Sequence, residues 1–276
     1  MLVTMLGLAA PARTQDNGDP GARGNGYWAD WFERTEKTRA EQPRWLTPLA
    51  TTTPRLEQEL RYDIVWQRRP DDTTIRNYGN SKGLELIPFE KAEIIVGVPP
   101  YLVHNQAEAQ DGFGDWRLLV KYRLLSANEH HGNYIVTAFL DVSVPTGSGS
   151  NGAANWIVTP TLAYGTGIGP LDVQGTFGVA LPTGNVDVIG RAYTWNNAVQ
   201  YQLFRKLWPE IEVNASFFQN GKNDGARQVF ITPGLVVGRF PLTRRVALTV
   251  GAGVQIAVSQ FRTSTRNAVL SLRLPF

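Results

Sequence analysis

The last ten residues, Asn267–Phe276, read NAVLSLRLPF. Ala268, Leu270, Leu272, Leu274 and Phe276 share one parity. Asn267, Ser271 and Arg273 share the other, with Val269 the one apolar exception. Alternation of this kind specifies a strand with one apolar and one polar face. A strand that alternates so and closes on an aromatic residue is expected of an outer-membrane barrel. There the last strand pairs with the first and leaves no backbone edge in lipid.

Composition narrows the alternatives. The chain has 276 residues, and beyond its amino terminus no apolar run is long enough for a membrane helix. Charged residues make up 18%, below the roughly 25% of soluble domains. Glycine and aromatic residues are plentiful, as turns and interfacial girdles require. With no cysteine there is no disulfide framework, thiol chemistry or cysteine metal site. A net charge of +3, without a basic run interleaved with aromatics, argues against a nucleic-acid partner. Met1–Ala12, MLVTMLGLAAPA, resembles the apolar core and small-residue end of a secretory signal, without the usual basic start.

Three regions follow: a signal remnant over 1–15, a linker and helix over 16–53, and a barrel over 54–276. Asp16–Asn25 is polar and glycine-rich, as in a linker. Tyr27–Glu41 predicts an amphipathic helix with Trp28, Trp31 and Phe32 on one face, stopped by Pro43. It is expected on the membrane surface or the barrel rim in the periplasm, with entry into the lumen as a plug the alternative. Trp28, Trp31 and Trp45 suit interfacial anchoring or the packing of such a plug.

From Pro54 onward period-two patterning dominates. Arg55–Trp66 sets Leu56, Leu60, Tyr62, Ile64 and Trp66 against Glu57, Glu59, Arg61 and Asp63. Phe113–Leu125 sets Trp116, Leu118, Val120, Tyr122 and Leu124 against Asp115, Arg117, Lys121 and Arg123. Similar segments at Leu84–Phe89, Glu93–Tyr101, Tyr134–Val144, Trp156–Gly165, Leu171–Leu181, Tyr193–Leu203, Ile211–Gln219, Gln228–Arg239 and Arg245–Ser259 complete the set. The sum is about twelve strands, most near the roughly 9–11 residues that a tilted strand needs to cross a bilayer. With the carboxy terminus on the periplasmic side, the joins alternate between short and long. Phe240–Arg244, Phe204–Glu210, Thr166–Pro170, Ser126–Gly132 and Pro88–Ala92 are the short periplasmic ones. Gln260–Arg266, Asn220–Arg227, Pro182–Ala192, Pro145–Asn155, Leu102–Gly112 and Gln67–Gly83 are the outer loops.

A central Arg or Lys facing lipid costs roughly 2–4 kcal/mol, so the charged parity must face inward. Glu57, Glu59, Arg61, Asp63, Asp115, Arg117, Lys121, Arg123, Asp141, Glu212 and Arg273 are therefore the candidates for a solute path, and Glu210 shares their face. The competing reading makes them an ion-pair network that stiffens the wall. Thr159, Thr161, Ala163, Thr176, Gly178, Ala180, Thr232, Gly234, Gly251 and Gly253 bring small side chains to the same face later in the chain, leaving space for a solute or a plug. Pro99, Pro160 and Pro233 each remove a ladder hydrogen bond. Bent or locally opened wall is expected there, and an opening would allow an apolar solute to leave sideways.

Val142–Gly149 (VSVPTGSG) and Gly178–Asn185 (GVALPTGN) each end a strand and turn on Pro-Thr-Gly. With the closing LSLRLPF, they resemble the family of the MetA pathway of phenol degradation, over roughly Leu84 to Phe276. The resemblance implies an outer-membrane barrel that moves hydrophobic or aromatic compounds. It carries over no site residue and does not reach the helix.

Catalytic and metal readings fare poorly. His104 lies by an outer loop, while His130 and His131 lie in a join at the other end, without metal-ligand spacing. Gly165–Gly169, GTGIG, is explained by a hairpin turn. The expectation is a non-enzymatic passive channel in outer-membrane lipid, without cofactor, that passes a small solute. The rivals are a structural barrel with a filled lumen and a soluble β-sandwich that binds a ligand.

Overall fold

The computed structural model describes residues 26–28 and 30–276. The signal and linker expectations lie outside them. Among the described residues one helix, α1 (Trp31–Ala40), precedes the sheet and ends at Glu41, whose N–H donates to Lys37 O. It begins later than the sequence pattern predicts, because Tyr27 and Trp28 form a turn.

Fifteen strand segments make one antiparallel sheet. They are β1 (Glu59–Arg68), β2 (Thr74–Gly79), β3 (Gly83–Phe89), β4 (Ala92–Gly97), β5 (Tyr101–His104), β6 (Gly112–Phe113), β7 (Trp116–Ala127), β8 (Tyr134–Val144), β9 (Ile157–Ile168), β10 (Leu171–Pro182), β11 (Arg191–Tyr201), β12 (Leu207–Gln219), β13 (Arg227–Pro241), β14 (Ala247–Ala257) and β15 (Arg266–Pro275). Segments β2/β3, β4/β5 and β6/β7 lie end to end, so the wall has twelve staves. The sheet closes where β15 pairs with β1, from Glu59↔Pro275 to Arg68↔Arg266. Closure leaves no unpaired edge, the condition for backbone in hydrocarbon.

The faces separate as alternation requires. On β15, Leu270 and Leu272 are exposed outward while Asn267, Ser271 and Arg273 are buried inward. On β7, Val120, Tyr122 and Leu124 point out and Lys121 and Arg123 point in. At the α1 end the joins span 90–91, 128–133, 169–170, 202–206 and 242–246. At the far end they span 69–73, 105–111, 145–156, 183–190, 220–226 and 258–265.

Three local expectations need correction. Part of the expected outer loop Gln67–Gly83 is strand: β2 pairs with β1 from Asp63↔Gly79 to Arg68↔Thr74. The residues of β2, TIRNYG, lack clean alternation, and the stave is broken by left-handed backbone at Gly79, Asn80 and Ser81. Leu56 does not face lipid; it is fully buried. It and Glu57 precede the first strand, and Gln42 holds both the N–H and the C=O of Leu56 within the lumen.

The prolines interrupt the ladder. Val98–Pro100 separates β4 from β5. Pairing of β9 with β10 jumps from Thr161↔Gly178 to Val158↔Leu181 around Pro160. Pairing of β13 with β14 jumps from Ile231↔Ile256 to Gly234↔Gly253 around Pro233. Each gap sits beside a residue without a backbone donor.

Candidate functional site: the lumen and its plug

After α1 the chain turns into the barrel. Residues 42–58 run there without pairing into the sheet. Pro43, Pro48 and Pro54 deny this segment helical continuity. Buried backbone without regular structure needs a partner for each polar group, and the wall supplies them. Glu210 Oε1 accepts from Leu49 N–H at 3.1 Å. Glu212 accepts from Ala50 N–H at 2.7 Å and Thr51 N–H at 2.6 Å. Arg273 donates to Thr47 O and Pro48 O, and Arg61 donates to Leu49 O at 2.6 Å. Gln174 donates to Leu46 O at 2.9 Å, Thr137 to Pro54 O at 2.5 Å, and Lys121 to Arg55 O at 3.1 Å. Glu93 accepts from Glu57 N–H at 2.6 Å.

Apolar contacts complete the seat. Trp45, Leu46 and Leu49 are buried with Ile135, Trp208 and Val236 of the wall. Glycines make the room. A Cβ on Gly234, Gly251 or Gly253 would stand 2.5, 2.6 or 2.7 Å from a methyl of Leu49. A Cβ on Gly165 would stand 2.6 Å from the indole of Trp45. The space expected from small inward residues exists, and the plug fills it. Of the two placements expected for the helix, it takes the rim and does not itself enter the lumen. The helix caps the rim, with Thr38 Oγ1 donating to Glu90 O at 3.0 Å and Asn128 donating to Ala40 O at 2.9 Å. The extended segment after it enters the lumen.

The inward charges have separate duties. Arg61 binds Asp63 with its Nη2 at 2.8 Å, and Lys121 pairs with Glu93 at 3.0 Å. Arg55 pairs with Glu57 at 2.6 Å; both are on the plug. Arg123 reaches out of the lumen floor to Glu41 at 2.6 Å and Thr38 O at 2.9 Å, fixing the end of α1. Glu59 stands across from Glu85 in the β1–β3 pair, and its Oε1 is buried without a hydrogen-bond partner. Arg117 pairs with Asp141 nearer the far end. Asp115 accepts from Gly147 N–H and Ala153 N–H and shapes the far loop after β8. The residues expected from the sequence do not include Glu93, Gln174 and Lys82. Glu93 and Gln174 alternate with apolar neighbours as the others do. Lys82 falls in the kink that hid β2.

Beside the plug lies a cavity of about 40 Å³, lined among others by Thr47, Thr52, Thr53, Lys82, Arg117 and Lys121. A water needs roughly 10–15 Å³ measured this way, so this space suits a few waters and no larger solute. Above the plug the wall is polar: Asn214 donates to Thr51 Oγ1 and Asn196 Oδ1, and Asn196 donates to Thr176 Oγ1 at 3.0 Å. Among the described residues no group of three His, Asp or Glu could hold a metal ion. His104 faces Asn151 at 2.8 Å and His131 faces Asn128 at 2.7 Å.

A protein-family model described as "Putative MetA-pathway of phenol degradation" matches residues 52–274. Among solved structures, an outer membrane channel from Pseudomonas putida F1 superposes with a TM-score of 0.58 at 15% identity, covering 84% of this chain and 100% of that one. The NanC porin superposes with a TM-score of 0.52 at 9% identity, covering 79% of this chain and 98% of that one. No curated protein sequence matches. The likenesses to solved structures establish the fold: a closed antiparallel barrel of the kind found in outer-membrane channels.

Proposed function

The chain belongs to the "Putative MetA-pathway of phenol degradation" family, and from that premise we propose that it is an outer-membrane channel shut by its own plug, Gln42–Glu57. The rim with α1 faces the periplasm in this reading, as short joins and paired termini require of such barrels. The apolar outer face meets lipid, and the small solute moves passively. The chain is taken as non-enzymatic: the two matched structures are by name a channel and a porin.

One observation carries the reading. The segment that fills the lumen is bound by side chains and has no part in the sheet. It can therefore leave without breaking a single ladder pair. Its departure would uncover a lumen already lined by hydrated-type groups, Glu212, Gln174, Arg61 and Arg273. The family description suggests the solute class, a small hydrophobic or aromatic compound. The Thr and Asn side chains above the plug supply partners for a hydroxyl on it. Ladder gaps at Pro160 and Pro233 are the places where an apolar solute would leave sideways.

The rival is a structural barrel with a permanently filled lumen, favoured by the burial of Trp45 and Leu49. Solute-swelling of liposomes separates the two. The full chain is compared with a chain lacking residues 42–53, each shown to be folded by heat-modifiable migration. Swelling with phenol-sized solutes is expected to rise at least tenfold on deletion. A folded, plug-free barrel that stays impermeable rejects the channel.

A further inference from the structure

At the α1 end, between the helix, the two legs of the plug and the turn from β13 to β14, lies a pocket of about 360 Å³. Its charged lining is Arg39, Arg44, Arg55, Arg239 and Arg245 against Glu36 and Glu57. Glu57 is already committed to Arg55. Among the described residues Arg239 donates only to the carbonyls of Arg44 and Trp45, at 3.3 and 3.2 Å. Arg39 donates to Gln58 O at 3.1 Å and Phe276 O at 2.8 Å. Arg245 lies over the Phe32 ring, 3.9 Å from its centre. Arg55 is 2% exposed, and its buried Nε has no partner. Even with the carboxylate of Phe276 counted, positive charge exceeds negative.

Guanidinium groups held close in a half-enclosed space repel one another. The planar fork of Arg matches two-pronged oxyanions. We propose that this pocket binds an oxyanion, a phosphate or carboxylate group, that ties together α1 through Arg39, the plug through Arg44 and Arg55, and the wall through Arg239 and Arg245. Occupancy fastens both legs of the plug to the barrel and so holds the lumen shut. The site is separate from the seat of Leu49, since it lies at the α1 end beneath the plug. The binding claim stands on the pocket alone; only its consequence for gating rests on the channel reading. The volume admits a pyrophosphate or the phosphate headgroup of a lipid in the inner leaflet, sources that share one chemistry.

The test uses the full chain in a non-ionic detergent, titrated calorimetrically with sodium pyrophosphate at ionic strength fixed with chloride. Saturable binding is expected, weakened at least tenfold by Arg239→Gln and by Arg245→Gln, and unchanged by Arg266→Gln at the far end. Arg245 projects from a turn, so its variant tests the site without disturbing the plug, and heat-modifiable migration confirms the fold of each. Absence of binding, or equal binding in Arg245→Gln, overturns the proposal. Nanodiscs then distinguish the source. Weaker pyrophosphate binding in zwitterionic phosphatidylcholine nanodiscs than in a phosphate-free non-ionic detergent points to a lipid phosphate, and equal binding to a soluble anion. Absence of any conductance with intact pyrophosphate binding would count against the channel and leave the site standing.

Discussion

Leu49 occupies the volume that a side chain at Gly253 would need: a Cβ placed there would stand 2.7 Å from Leu49 Cδ1. The plug and the wall are thus matched in shape, methyl against bare backbone. At Gly253 the same Cβ would also stand 2.9 Å from the backbone oxygen of Pro233, so the clean variant is Gly251→Val, whose Cβ would meet Leu49 Cδ2 at 2.6 Å and the backbone only at 3.7 Å. It is expected to push the plug outward while leaving the ladder between β14 and β15 intact. Overpacking of this kind costs about 1–3 kcal/mol, here falling on the seated plug and not on the barrel. Faster liposome swelling with unchanged heat-modifiable migration is the expected result. Unchanged swelling would mean that the plug yields in place.

Glu212 holds two consecutive plug amides, Ala50 and Thr51, with one carboxylate. Hydrogen bonds to a charged acceptor contribute about 1.5–3 kcal/mol. Glu212→Gln keeps the size but removes the charge and turns one oxygen into a donor. Protease cleavage within residues 44–53 is expected to speed up by about an order of magnitude, since 1.4 kcal/mol is tenfold in population. Equal cleavage in both proteins would assign the seating to the remaining contacts, the apolar seat of Leu49 and Trp45 and the carbonyls held by Arg61 and Arg273.

The rim contact has a defined dependence on pH. Lys37 and Glu90 meet at 2.7 Å on the exposed surface. The hydrogen bond from Lys37 holds the Glu90 carboxyl below its ordinary 4.5, and the bond to Glu90 raises Lys37 above its ordinary 10.5. The carboxylate's share is present above about pH 4.5 and fades as acid protonates the folded form. The ammonium's share is present below 10.5 and fades as alkali passes its raised value. Docking of α1 is therefore expected to be flat across the neutral range and looser near pH 3. Amide exchange in Trp31–Ala40 at pH 3 and pH 7 checks this, and Glu90→Gln should remove the difference. A helix that loosens equally in Glu90→Gln refers the acid effect to another group.

Much of the barrel was legible because lipid leaves little choice. Each stave must alternate, and the staves that alternate most cleanly, β7 and β15, stand where their patterns put them. What escaped notice lacks that constraint. β2 faces its neighbours through Thr, Arg and Asn, so its pairing with β1 follows from closure and not from periodicity. The plug was harder still. Nothing in RWLTPLATTTP marks it as interior, since its burial depends on Glu210, Glu212 and Arg273, more than 150 positions away. The glycines at 234, 251 and 253 showed that a space exists, without showing that Leu49 enters it. Charged inward residues were found as a class. Their duties were not, because Asp115 turns a loop while Arg123 grips the helix, and one-dimensional spacing treats them alike.

A pair of substitutions on one strand tests both faces of the wall. Leu118 shares its parity with Val120 and faces outward, so Leu118→Arg places charge against hydrocarbon at roughly 2–4 kcal/mol. Lys121 is fully buried, pairs with Glu93 at 3.0 Å and donates to Arg55 O at 3.1 Å. From alternation alone, Lys121→Leu would be mild. The pairing reverses that judgement: removing one partner of a buried ion pair costs about 3–5 kcal/mol, because the other charge is left alone. Both single variants are therefore expected to fold less stably, by similar amounts in urea titration of the detergent-refolded protein. They should part company when Glu93→Leu is added. The second substitution removes the stranded carboxylate and should restore part of the stability of Lys121→Leu, but it also frees the Glu57 amide, so recovery stays incomplete. It should do nothing for Leu118→Arg, whose penalty lies on the other side of the wall. Rescue of both, or of neither, would contradict the separation of faces on which the barrel depends.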